Sequence, residues 1–145
     1  MNPFQKQTKL ALFVLTLFTG LLSGVAHGIV PAPYGAIAYS PTDGALGIAR
    51  KTVNQEAAEQ LAMGNCAITA HGKSCRIVVW FYNACAALAK SPNGDWGADY
   101  ASTTSGEQME GINAAYAKAR QHCEDAGGGT TCQLVQATCS FDGVP

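Results

Sequence analysis

Charge is scarce in this chain: nine Lys and Arg and ten Asp and Glu stand among 145 residues, 13% in all. With no basic stripe there is no footprint for a nucleic-acid backbone or an anionic membrane surface. Also missing are a G-x-S-x-G nucleophile turn and the paired C-x-x-C knuckle of a zinc site. Gly72-Lys73-Ser74 ends like a phosphate-binding loop, but the glycine that should open such a loop falls at Ala67. No catalytic residue, metal or cofactor is therefore expected. Bulky aliphatic residues are few after the N-terminal run, where alanine and glycine dominate, so the core must be thin for its length.

What is present begins with an export signal. Residues 1–9 carry Lys6 and Lys9 and no acid, Leu10–Leu22 is almost wholly apolar, and Ser23, Gly24, Ala26 and Gly28 are small. That order is a secretory signal peptide. Cleavage is expected after Gly28, with Ala26 as the alternative, leaving residues 29–145 as one disulfide-stabilised domain with no membrane insertion. The apolar run, broken by Thr16, Thr19, Gly20, Ser23 and Gly24, falls short of the ~20 residues of a spanning helix. Loss of the two early lysines leaves seven basic against ten acidic residues, a net charge of −3.

Six cysteines agree with an oxidising compartment, periplasmic or extracellular. They read as two triplets, Cys66, Cys75, Cys85 and Cys123, Cys132, Cys139, with eight residues inside the first interval of each. Ala58, Ala62, Cys66 and Cys75 recur 57 residues later as Ala115, Ala119, Cys123 and Cys132, an internal repeat that breaks at Cys85.

Elements follow from the local pattern. Tyr34–Ser40 and Ala45–Arg50 read as a hairpin turning at Pro41-Thr42-Asp43-Gly44. Thr52 and Gln55 have capping-box spacing before a helix whose apolar face is Val53, Ala57, Ala58, Leu61 and Ala62, ending at Gly64. Cys75–Tyr82 is strongly β-favouring and apolar on both faces, as in a central strand. Trp96–Ser102 echoes Tyr34–Ser40. Ser105 and Gln108 again have capping-box spacing, before a face of Met109, Ile112, Tyr116, Ala119 and Cys123. Gly127-Gly128-Gly129 stops that helix, and Cys132–Cys139 closes the chain as a strand. The sum is an α+β domain: an antiparallel sheet with two helices on one face, built from two pseudo-duplicated β–α–β units.

Strand length restricts the fifteen pairings open to six cysteines. An extended Cys75–Cys85 segment holds its ends roughly 30 Å apart at about 3.3 Å per residue, far beyond the ~7 Å a disulfide spans. Cys132 and Cys139 are separated in the same way. Cys66–Cys75 and Cys123–Cys132 then tie each helix to its following strand, leaving Cys85–Cys139 to join the halves.

Tyr34-Gly35-Ala36-Ile37-Ala38-Tyr39-Ser40, the Ala-rich helix into Cys66, Cys75–Phe81 with Asn83–Ala89, Trp96-Gly97 and the second cysteine triplet together resemble the bacterial family known as domain of unknown function 4189. The resemblance spans Tyr34 to Phe141 and implies a small exported protein, with no catalytic residue to carry over.

Function is then expected in surface aromatics. Trp80, Tyr82, Trp96 and Tyr100 fall on strands, and a Tyr or Trp exposed on a rigid sheet loses little entropy on binding. Phe81 is assigned to the core, and Trp96 with Tyr100 to the exposed surface. The expected role is a non-enzymatic binding module for an unknown protein or cell-envelope polymer, one version being an inhibitor or immunity-type partner of an envelope-acting protein. The alternatives are a small envelope hydrolase using Asp95 and Asp99 and a purely structural secreted protein. His71 and His122 are read as solvated or helix-end residues.

Overall fold

The structure, a computed structural model, describes residues 33–70 and 74–141. The expected signal segment, His71 and the Gly72-Lys73 pair lie outside the described residues. Eight elements run in order: β1 (Tyr34–Tyr39), β2 (Leu46–Thr52), α1 (Gln55–Thr69), β3 (Arg76–Tyr82), β4 (Ala84–Lys90), β5 (Trp96–Ser102), α2 (Gln108–Cys123) and β6 (Gln133–Cys139). Every strand pairing is antiparallel. The α+β class and the two helices are as expected. The strands, however, form two three-stranded sheets rather than one, ordered β2-β1-β3 and β5-β4-β6.

Burial of alternate residues along the two central strands stacks these parts in four layers. On one face of β1, Ala36 and Ala38 pack with Ala58, Ala62, Cys66 and Ala70 around α1. On its other face Ile37 meets Phe81, Ala84 and Ala86, so the two sheets lie against each other. The far face of β4 gives Ala87 and Ala89 to Ala115, Ala119 and Cys123 of α2. Each helix thus covers one face of its own sheet, with the sheets between.

The chain passes from one sheet to the other through a single residue. Asn83 has φ 45°, the left-handed region that asparagine tolerates better than most residues, and β3 and β4 run on either side of it. Cys75–Tyr82, expected at a sheet centre, is mostly an edge strand. The central strands, with both faces covered, are β1 and β4, and the first six residues of β4 are all buried. Nothing in the alanine-rich run Ala84–Ala89 announces a strand, because alanine has weak β propensity.

Each half therefore has the order β–β–α–β, one strand more than the expected β–α–β. The halves match in detail. Gly47 and Gly97 occupy the same place: a Cβ on either would collide with helix backbone, at Ala62 and Cys66 in one half and Ala119 and Cys123 in the other. Ser40 N–H donates to Ala45 O at 2.9 Å and Ser91 N–H to Asp95 O at 2.8 Å. Cys66–Cys75 and Cys123–Cys132 bond as expected, and Cys85–Cys139 joins directly opposite positions of β4 and β6. Cys85 accordingly belongs to the start of the second half, which dissolves the reading of two triplets.

In the two helices Ala58, Ala62, Ala119 and Cys123 are buried as expected, but the rest of each face is rotated from the expected one. Their buried residues are Ala58, Ala62 and Cys66 in α1 and Gly111, Ala115, Ala119 and Cys123 in α2, while Val53, Leu61 and Met109 are exposed. The glycine contacts at Gly47 and Gly97 give the reason: helix and sheet approach so closely that only small side chains fit, and bulky ones turn outward. Nor does α1 stop at Gly64; it continues to Thr69. Its N-cap is Asn54, whose Oδ1 accepts from Ala57 N–H at 2.8 Å. Thr52, expected to cap, instead donates to Tyr34 O at 3.2 Å. Before α2 a 3-10 turn starts from Thr104, with Thr104 Oγ1 3.1 Å from Glu107 Oε2. The Ser105 side chain lies outside the described part.

Candidate functional site: aromatics at the sheet surfaces

Residues directly opposite across two strands share a face. Tyr34 pairs with Tyr82, Ala36 with Trp80 and Ala38 with Ile77, so Tyr82 and Trp80 lie on the α1 side of their sheet. The helix does not reach them: α1 packs chiefly over β2 and β1 and barely over β3. Trp80 is left 43% exposed and Tyr82 48%. Tyr34, half-buried against the α1 core, props the second ring, with centroids 4.6 Å apart and planes at 50°. The result is a fixed aromatic face on an edge strand.

The other expected pair divides. Tyr100 is exposed and lies 5.9 Å under the Lys118 ammonium, whose Nζ also donates to Tyr100 O at 3.1 Å. Trp96, expected to be open, is partly buried between the sheets. It meets the Tyr39 ring edge-on at 5.9 Å and carries the Arg76 guanidinium 4.7 Å above its centroid. A pattern of alternating residues places Trp96 on one side of β5 but cannot show that a second sheet covers that side. Phe81 is fully buried, as expected.

The carboxylates of the hydrolase alternative serve separate structures. Asp95 closes the β4–β5 turn, its Oδ2 3.3 Å from Ser91 Oγ. Asp99 accepts from Tyr100 N–H at 2.7 Å and meets His122 Nε2 at 3.1 Å. Four residues apart along extended chain, their Cα atoms are separated by about 13 Å, against the roughly 5–9.5 Å between paired glycosidase carboxyl groups. The Asp99–His122 pair went unforeseen. Its signal was Gly97: the strand that presses against α2 there brings Asp99 alongside the last helical turn.

Among the described residues no group of His, Cys, Asp and Glu could hold a metal ion, and no helix is long and apolar enough to cross a membrane. Three disulfides suit an oxidising environment.

Comparison with known proteins agrees with this architecture. The NMR structure of Rv1813c from Mycobacterium tuberculosis is similar, with a TM-score of 0.50 and 27% identity over 73% of this chain and 73% of that one. No curated protein matches the chain in sequence. The model of Domain of unknown function (DUF4189) matches residues 34–139, from the first tyrosine of β1 to the last cysteine of β6, and the chain belongs to that family.

Proposed function

We propose that this protein is a small exported, non-enzymatic binding module of the cell envelope, in which residues 1–28 are the signal peptide and residues 29–145 the working domain. Its ligand is a partner protein or an envelope polymer, held on the aromatic side chains of β3. The observation that carries this reading is the face of Trp80 and Tyr82, which α1 leaves uncovered and Tyr34 braces. Large rings held on a strand present contact area with few rotamers to freeze on binding. Tyr100 is a second, smaller anchor. Inhibition of an envelope-acting enzyme is the most concrete form of the role.

The reading includes an internal duplication of a β–β–α–β unit. It is supported by the matched glycines, turns and disulfides of the halves, and by three register offsets: 51 residues for the central strands, 50 for β2 and β5, and 57 for the helices and last strands. The 3-10 turn before α2 lengthens the connection there.

Capture from envelope extract with the oxidised domain tests the function. Replacing Trp80 and Tyr82 together by Ala should weaken capture by about thirtyfold, the effect of losing an anchor of ~2 kcal/mol, with the disulfides intact. Unchanged capture by that variant rejects the β3 face as the binding surface.

A further inference from the structure

At the end of the sheet stack away from Asn83, each sheet presents a cation to the aromatic residue of the other. Tyr39 and Arg76 are directly opposite on β1 and β3; Lys90 and Trp96 are directly opposite on β4 and β5. Arg76 sits 4.7 Å from the Trp96 centroid and Lys90 6.0 Å from the Tyr39 centroid, while the two rings touch edge to face.

This mouth holds donors without acceptors. Among the described residues, no carboxylate lies within ion-pair distance of Arg76 or Lys90. The nearby acid Asp95 is engaged by Ser91. The Tyr39 hydroxyl is the one buried side-chain polar atom of the described residues with no hydrogen-bond partner. A buried phenol left unpaired is costly unless something else completes it, and Arg76, which is exposed, and Lys90, which is half-buried, keep their charges open to an incoming anion. Lys90 also lines a cleft of about 340 Å³, with Ser91, Pro92, Gln133, Leu134 and Val135 as the other walls. Gln133, directly opposite Lys90 on β6, adds an amide donor.

The geometry points to an oxyanion-binding site at this mouth: a carboxylate or phosphate group held by Arg76 and Lys90, on a small ligand whose body rests in the Pro92-Leu134-Val135 cleft. Arg76 offers a planar fork to two oxygens and Lys90 a point charge, a combination suited to either group. The two aromatic rings keep the cations on their faces while the ligand is absent. This site is separate from the Trp80–Tyr82 face and stands or falls without it.

The test is an NMR titration of the oxidised, isotope-labelled protein with inorganic phosphate and, separately, with acetate, at constant ionic strength. The indole N–H of Trp96 and the amides of Lys90 and Gln133 should shift saturably, while the indole of Trp80 stays still as an internal control. Arg76→Gln and Lys90→Gln should each weaken binding by about tenfold. Arg120→Gln, which removes the same charge from an arginine already paired with Glu124, should leave it within about twofold. Dispersed spectra and intact disulfides establish that the variants fold. Saturation by phosphate alone assigns a phosphate-bearing ligand, and by acetate alone a carboxylate-bearing one. Absence of saturation with both, or equal weakening by Arg120→Gln, overturns the site.

Discussion

Tyr34 and Tyr82 pack ring against ring, tilted at 50°, across β1 and β3 at the register position that Cys85 and Cys139 hold across β4 and β6. The same first-to-last pairing, with the same bulge three residues further along the central strand, is closed by two rings in one sheet and by a covalent bond in the other. An aromatic pair contributes about 0.5–1.5 kcal/mol beyond its area, far less than the cross-link. The first sheet therefore keeps an exposed aromatic surface where the second is covalently closed.

That equivalence can be tested by exchange. The double variant Tyr34→Cys/Tyr82→Cys should form a fourth disulfide, read by intact mass as the loss of two further hydrogens and by peptide mapping as a cross-link between the β1 and β3 peptides that carry the two substitutions. Free thiols at both positions in a correctly folded protein would deny the match between the two sheets.

The close approach of helix to sheet predicts opposite signs for two glycine substitutions. Gly97→Ala puts a methyl group into the α2 backbone and should cost about 1–3 kcal/mol. Gly64→Ala lies inside α1 with open space around it and should stabilise by about 0.5–1 kcal/mol. Urea unfolding with the disulfides intact measures both.

Removing Cys85–Cys139, which closes a separation of 54 residues, should destabilise the protein more than removing Cys66–Cys75, which closes 9. In the chain-entropy model the losses are about 4 and about 2.5 kcal/mol. Paired Cys→Ala variants compared by denaturant midpoint at equal slope give the difference.

Tyr39→Phe should stabilise the ligand-free protein by about 1 kcal/mol, since it deletes a buried hydroxyl without a protein partner. Thermal unfolding in a buffer without phosphate or carboxylate checks it; a lower midpoint would mean that the hydroxyl is satisfied in solution.

How much of this was legible depends on what each residue pattern constrains. The disulfide pairing was readable because an extended chain has a fixed rise, and the Cys75–Cys85 segment keeps its ends apart even with a turn at Asn83. The helices were readable in position but only partly in orientation. Leu61 and Met109 looked like core residues by size, yet the Gly47 and Gly97 contacts leave room only for alanine. β4 went unseen for the same reason: its alanines lie between α2 on one side and Ile37 and Phe81 on the other, where bulk is supplied by partners distant in sequence. Trp96 was placed at the surface because nothing local records that a second sheet faces the first.

The layer between the sheets is unequally furnished. Ile37, Tyr39, Leu46, Val79 and Phe81 come from the half before Asn83, whereas the half after it contributes Ala84, Ala86 and Leu88 along β4 and a single large ring, Trp96, at one end. Separated from its mate, the first half would expose the larger apolar side chains of this layer to water. The bulk of that layer is therefore made before Asn83, and its apolar side chains are covered only once β4 follows Asn83 into place.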